Sequence, residues 1–105
     1  MISPLTLICR TEDVPAGGAL QVALPDREPL AVFHLQGEFF VTDDTCTHGA
    51  ASLCDGEIEE GRVFCPFHSG SFDIRTGAPV DKPCTRALRT YPVRTEDGAI
   101  YAVLE

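Results

Sequence analysis

Basic residues are scarce in this chain. Eight Lys and Arg stand against sixteen Asp and Glu, for a formal net charge of −8. That deficit argues against nucleic acid or an anionic membrane as a partner, because both are bound through positive charge. It suits transient docking on basic protein surfaces, and it also serves plain solubility. Long apolar runs are missing as well: none approaches the roughly 18 residues needed to cross a bilayer. Met1 to Arg10 has neither a basic leader region nor a small-residue cleavage site, so a cytoplasmic location is expected. Repeats, linkers and low-complexity tracts do not occur.

What is present fits one small domain. At 105 residues the chain has room for a single modest core. Eight prolines and nine glycines, scattered as punctuation, favour many short strands over long helices. Leu5 to Cys9 reads as a first strand, with Cys9 as a small buried hydrophobe. A turn follows from Thr11 to Gly18, with a helical turn capped by Thr11. Leu20, Val22 and Leu24 alternate with small or polar residues, as in a half-buried strand. Leu30 to Leu35 is apolar on both faces, and Gln36-Gly37-Glu38 turns it back into Phe39 to Thr42. Ile58 to Phe64, broken by Gly61, reads as a second hairpin. Ser71 to Ile74 reads as a strand and Pro79 to Pro83 as a loop. Leu88 to Arg94 and Ala99 to Leu104 form a closing hairpin, with Pro92 confining its strand to a sheet edge.

Five cysteines in a cytosolic chain point to metal or free thiols, not to a disulfide framework. Two of them share a pattern with two of the three histidines. Through Asp43-Asp44-Thr45 the chain reaches Cys46-Thr47-His48-Gly49, and after a spacer it reaches Cys65-Pro66-Phe67-His68-Ser69-Gly70. Each loop offers one thiolate and one imidazole, a mixed donor set that can hold an iron–sulfur core at low net charge. The third histidine, His34, has no Cys or carboxylate at ligand spacing and reads as structural.

Cys-x-His followed by Cys-x-x-His resembles the Rieske [2Fe–2S] motif, in which two His replace two Cys on one iron. The resemblance implies one such cluster as cofactor. Cys46 and Cys65 would hold one iron, and His48 and His68 the other, with the outer ring nitrogens marking the electron's exit. It implies an all-β, Rieske-type antiparallel sandwich or barrel. A small cluster-binding subdomain at about 45–83 would be inserted in a basal domain of 1–44 and 84–105. Gly49 and Gly70 would allow tight turns that aim N–H groups at sulfur. Ala50, Ala51, Pro66, Phe67 and Pro83 would form an apolar collar, with Pro83 in a third, covering loop. Cys54 and Cys84 stand close in sequence to these loops and are taken as non-ligands.

Departures from the respiratory branch narrow the choice. That branch staples its loops with an extra cysteine pair, where this chain has Ala51 and Phe67. It also places hydroxyls where this chain has Gly70 and Phe72. The expected potential is therefore near the bottom of the family's range of roughly −150 to +300 mV. The motif, Ser71-Phe72-Asp73, Thr90-Tyr91-Pro92-Val93 and the length resemble ferredoxin components of bacterial aromatic-ring-hydroxylating dioxygenases. The partners so implied are a flavoprotein reductase fed by NADH and a terminal oxygenase. Six acids between Asp43 and Phe64 (Asp43, Asp44, Asp55, Glu57, Glu59 and Glu60) face one base, Arg62, and would form the docking patch.

Three rival readings share the motif in part. The small Rieske-type subunit of a nitrite reductase carries the same ligand pattern. A zinc-stabilised interaction module also uses two Cys and two His, though usually not mixed within each knuckle. A Rieske oxygenase needs a second, mononuclear iron site, for which only His34 is left.

Overall fold

The structure, a computed structural model, describes residues 5–47, 51–67, 70–82 and 84–104. Among these residues the secondary structure consists of eleven short strands and two single 3-10 turns. In chain order the strands are β1 (Thr6–Arg10), β2 (Ala19–Val22), β3 (Leu30–Leu35), β4 (Glu38–Asp43), β5 (Ile58–Glu59) and β6 (Arg62–Phe64). They continue as β7 (Ser71–Asp73), β8 (Pro79–Asp81), β9 (Thr90–Tyr91), β10 (Val93–Glu96) and β11 (Ala99–Ala102). They pair antiparallel in three sheets, with orders β1-β11-β10, β2-β3-β4-β9 and β5-β6-β7-β8. The last sheet draws all its strands from between Ile58 and Asp81.

Three of the hairpins share one turn chemistry. Gln36-Gly37, Glu60-Gly61 and Asp97-Gly98 all hold positive φ, between 49° and 80°. Two successive residues in that region make the tight turn whose twist matches paired strands, and glycine meets the second requirement without strain.

β3 is the strand around which the cores form. Ala31, Phe33 and Leu35 face one apolar cluster, with Val63, Phe72, Ile74, Leu53, Cys46 and Cys65. Leu30 and Val32 face the other, with Ile8, Val41, Tyr91 and Ile100. Both faces are buried, which is why the segment reads as a continuous apolar run. One wall thus supports the basal sheets and the cysteine loops together.

Three local expectations are corrected. The turn at Thr11–Asp13 is not capped by Thr11: the Arg10 N–H donates to Asp13 Oδ2 at 3.1 Å, and the Thr11 hydroxyl donates to the Gly98 carbonyl. Pro79 to Asp81 is the edge strand β8, not loop. A proline at the first position of an edge strand costs no ladder bond. Pro92 does more than sit at an edge. It separates β9, at the edge of one sheet, from β10, at the edge of another, so the closing hairpin begins only at Val93.

Candidate metal centre

Both cysteine loops are closed by the same device. After β4, Thr45 pairs with Ser52 across an isolated bridge, and the Cys46 N–H donates to the Ala51 carbonyl at 2.9 Å. After β6, the Cys65 N–H donates to the Gly70 carbonyl, also at 2.9 Å. In each case the cysteine amide reaches the carbonyl five residues on, so each loop leaves a paired strand and returns within six residues. The strand ladders fix the loop ends, which preorganises whatever the loops carry.

The sulfurs are withdrawn from water. Cys46 and Cys65 are each 3% exposed and share an apolar cluster with Ala51, Leu53, Val63 and Phe72. Two buried thiols from separate chain segments, converging in one apolar wall, suit a soft metal centre that takes thiolates as ligands. His48 and His68, with Gly49, Ala50, Ser69 and Pro83, lie outside the described residues. Among the described residues no group of three or more His, Cys, Asp or Glu is arranged to hold a metal ion.

A third segment closes over the cysteines. The Thr47 hydroxyl donates to the Arg86 carbonyl at 2.9 Å, tying the first loop to the chain beyond Pro83. The Cys84 N–H donates to the Asp81 carbonyl at 3.2 Å. Asp81 is itself clamped, since the Ser71 hydroxyl at 2.5 Å and Arg62 Nη1 at 3.0 Å both donate to its Oδ2. Cys84 is buried next to Cys46, and burial, followed by Cys46 itself, pushes its thiol up to about 12. Cys54 is half-buried; burial and then its hydrogen bond to Asp44 push its thiol well above the usual range.

The acidic patch is smaller than the sequence suggests. Asp43 belongs to a polar cluster in which the Tyr91 hydroxyl donates to its Oδ1 at 2.5 Å, with Arg27 Nη2 at 3.4 Å. The Arg27 and Arg89 guanidiniums lie over the Tyr91 ring, 5.3 and 5.0 Å from its centre. Asp44 is 1% exposed and turned inward. Arg62 is paired with Asp81. Asp55, Glu57, Glu59 and Glu60 are the acids left on the surface, with no ion pair among the described residues; Asp55 and Glu57 lie beside Pro66 of the second loop, and Glu59 and Glu60 at the turn end of the β5–β6 hairpin.

The collar also needs correction. Ala51 is buried, but Pro66 is exposed and Phe67 is 74% exposed. Packed strands already cover the cysteines from behind, so Phe67 projects from the loop tip instead of roofing it. His34 lies away from the loops' chemistry: it stacks on Phe39 with ring centres 4.2 Å apart, one ring nitrogen 3.4 Å from the Val14 carbonyl. Sequence reasoning missed the roles of Asp44 and Asp81. The only available signal was an acid two residues before Cys46 and another two before Pro83.

Comparison with known proteins gives a consistent result. The family described as Rieske [2Fe–2S] domain matches residues 5–92. The ferredoxin component of the p-cumate 2,3-dioxygenase system of Pseudomonas putida is 46% identical over 101 residues, covering 95% of this chain and 86% of that protein. Among solved structures, the Sphingomonas yanoikuyae B1 ferredoxin superposes with a TM-score of 0.92 at 41% identity, covering 97% of this chain and 100% of that one. A chain of the complex of reduced oxygenase and oxidized ferredoxin in carbazole 1,9a-dioxygenase gives 0.91 at 36%, covering 99% and 96%. A nitrite reductase small subunit from Mycobacterium tuberculosis, at 23% identity and a TM-score of 0.82, shares the fold, covering 97% and 96%.

Proposed function

Since the chain belongs to the Rieske [2Fe–2S] domain family and carries one Rieske-type cluster, we propose that it takes single electrons from an NADH-dependent flavoprotein reductase. It hands them to a terminal aromatic-ring-hydroxylating dioxygenase, in the cytoplasm. The protein is an electron carrier, and the substrate chemistry belongs to its partner. Among the described residues no helix is long and apolar enough to cross a membrane. The matched loops, each opening on a buried cysteine and closed by that cysteine's own amide, are the observation that carries this reading.

In this reading Cys46 and Cys65 hold one iron and His48 and His68 the other. When bound, the cluster supplies the site that accepts and releases one electron. The chain does the rest. Ala51, Leu53, Val63 and Phe72 keep water from the sulfur side, which limits hydrolytic loss and sets a low local dielectric. Residues 45–83 form the cluster-binding subdomain on a basal domain of 1–44 and 84–105. Phe67 and Pro66, exposed between Cys65 and His68, offer an apolar contact where a partner must approach for transfer. Asp55 and Glu57 beside Pro66, with Glu59 and Glu60 further along the β5–β6 hairpin, steer basic partner surfaces toward that contact.

The test is chemical. Anaerobically purified protein is expected to hold two iron and two acid-labile sulfide per chain. Cys46→Ser and Cys65→Ser are each expected to lose both. His48→Ala is expected to lose the nitrogen hyperfine coupling that a directly bound imidazole gives. A colourless, iron-free wild-type protein, or a nitrogen coupling unchanged by both histidine substitutions, would refute the assignment.

A further inference from the structure

Asp44 is a carboxylate buried to 1% exposure at the stem of the first cysteine loop, two residues before Cys46. Its side chain joins the two stems of that loop. Oδ2 accepts from Ser52 Oγ at 2.7 Å and from Gln21 Nε2 at 2.7 Å, and Oδ1 accepts from the Cys54 N–H at 3.1 Å. Its main chain adds a second cross-stem bond, from the Leu53 N–H to the Asp44 carbonyl at 2.8 Å, and the Asp44 N–H donates to the Pro29 carbonyl before β3 at 3.1 Å. No Lys or Arg among the described residues pairs with it. Burying a carboxylate without a counter-ion is costly, and these donors, together with the Cys54 thiol that also bonds to it, are what make it tolerable here. A surface acid would fix the loop without that cost, so the burial itself calls for a reason.

We infer that Asp44 is a positioning residue that also holds the cluster's potential down, and that its hydrogen-bond donors set how strongly its charge is felt. This rests on the ligand assignment above. The Cα atoms of Asp44 and Cys46 are at most about 7 Å apart, two residues of extended chain. Through an apolar wall a negative charge at that range opposes the addition of an electron. Unlike the surface acids, it is shielded from salt.

Two substitutions separate charge from shape. Asp44→Asn keeps the outline and removes the charge, so the midpoint potential moves up. Ser52→Ala keeps the charge and removes a donor that partly neutralises it, so the midpoint moves down. Both shifts are read by redox titration at fixed pH, with iron and sulfide counts equal to wild type, and the first persists in high salt. Midpoints unchanged in both variants, or moved in the same direction, would overturn the inference. If Asp44→Asn does not load its cluster, Ser52→Ala decides alone: a lowered midpoint supports the inference and an unchanged one defeats it. A wild-type protein without a [2Fe–2S] signal would instead defeat the ligand assignment.

Discussion

Gly77 shows how little freedom a single backbone position can have in this fold. Its φ is +79°, its N–H donates to the Asp73 carbonyl at 2.7 Å, and its carbonyl accepts from the Leu88 N–H at 2.7 Å. A Cβ there would run into the Leu88 carbonyl. Gly77→Ala therefore combines backbone strain with a clash, and we expect a loss of at least about 2 kcal/mol, read as a lower urea midpoint with unchanged slope. A loss within about 0.5 kcal/mol would show that the crossing of 77 and 88 yields easily. Cys84 gives the opposite expectation. It is buried beside Cys46, yet four ligands are already assigned elsewhere, so Cys84→Ser and Cys54→Ser are each expected to keep full iron and sulfide. Loss of iron from either would mean the ligand set is wrong. Of these residues the sequence announced the two cysteine–histidine knuckles, because metal chemistry restricts residue type and spacing together. It was silent on Gly77, whose constraint comes from the Leu88 carbonyl, which only the tertiary fold brings against it.

At the level of elements, the pieces set by local chemistry were legible and those set by tertiary partners were not. The Gln36-Gly37 and Glu60-Gly61 hairpins were readable because turn geometry demands glycine at a fixed place. The doubly apolar β3 was readable as a strand, though not as the partition between two cores. β8 was not, since its three residues gain strand pairing only from β7. Its Asp81 then anchors the segment over the cysteines through Arg62 and Ser71. Asp81→Ala removes both bonds and frees the turn that carries Cys84. We expect faster bleaching of the cluster in air or chelator, with little change in the fresh protein's spectrum. Equal bleaching rates would show that the third segment is held by other contacts. The split of the last strand at Pro92 escaped notice because a proline says where a ladder stops, not which sheet the chain joins next.

On the scale of the whole molecule, composition pointed to protein partners, and the structure redistributes the charge that serves them. Of the six acids between Asp43 and Phe64, Asp43 is bonded to Tyr91 and Arg27 and Asp44 is buried. That leaves four at the surface, of which Asp55 and Glu57 lie beside the second loop that carries the exposed Phe67. Electron transfer to the oxygenase is expected to slow steeply with added salt, while Phe67→Ala weakens docking with the midpoint unchanged. Rates insensitive to salt would remove the steering role. The absence of hydroxyls at Gly70 and Phe72 keeps the expected midpoint below zero, in the lower part of the family's range of about −150 to +300 mV. EPR of the dithionite-reduced protein, with iron and sulfide counts on the same sample, decides whether the two cysteine–histidine loops hold a Rieske centre. One [2Fe–2S] centre per chain is expected, with couplings to two nitrogens, one lost in His48→Ala and the other in His68→Ala. A centre without nitrogen coupling, or a sample with no iron and sulfide, would contradict it.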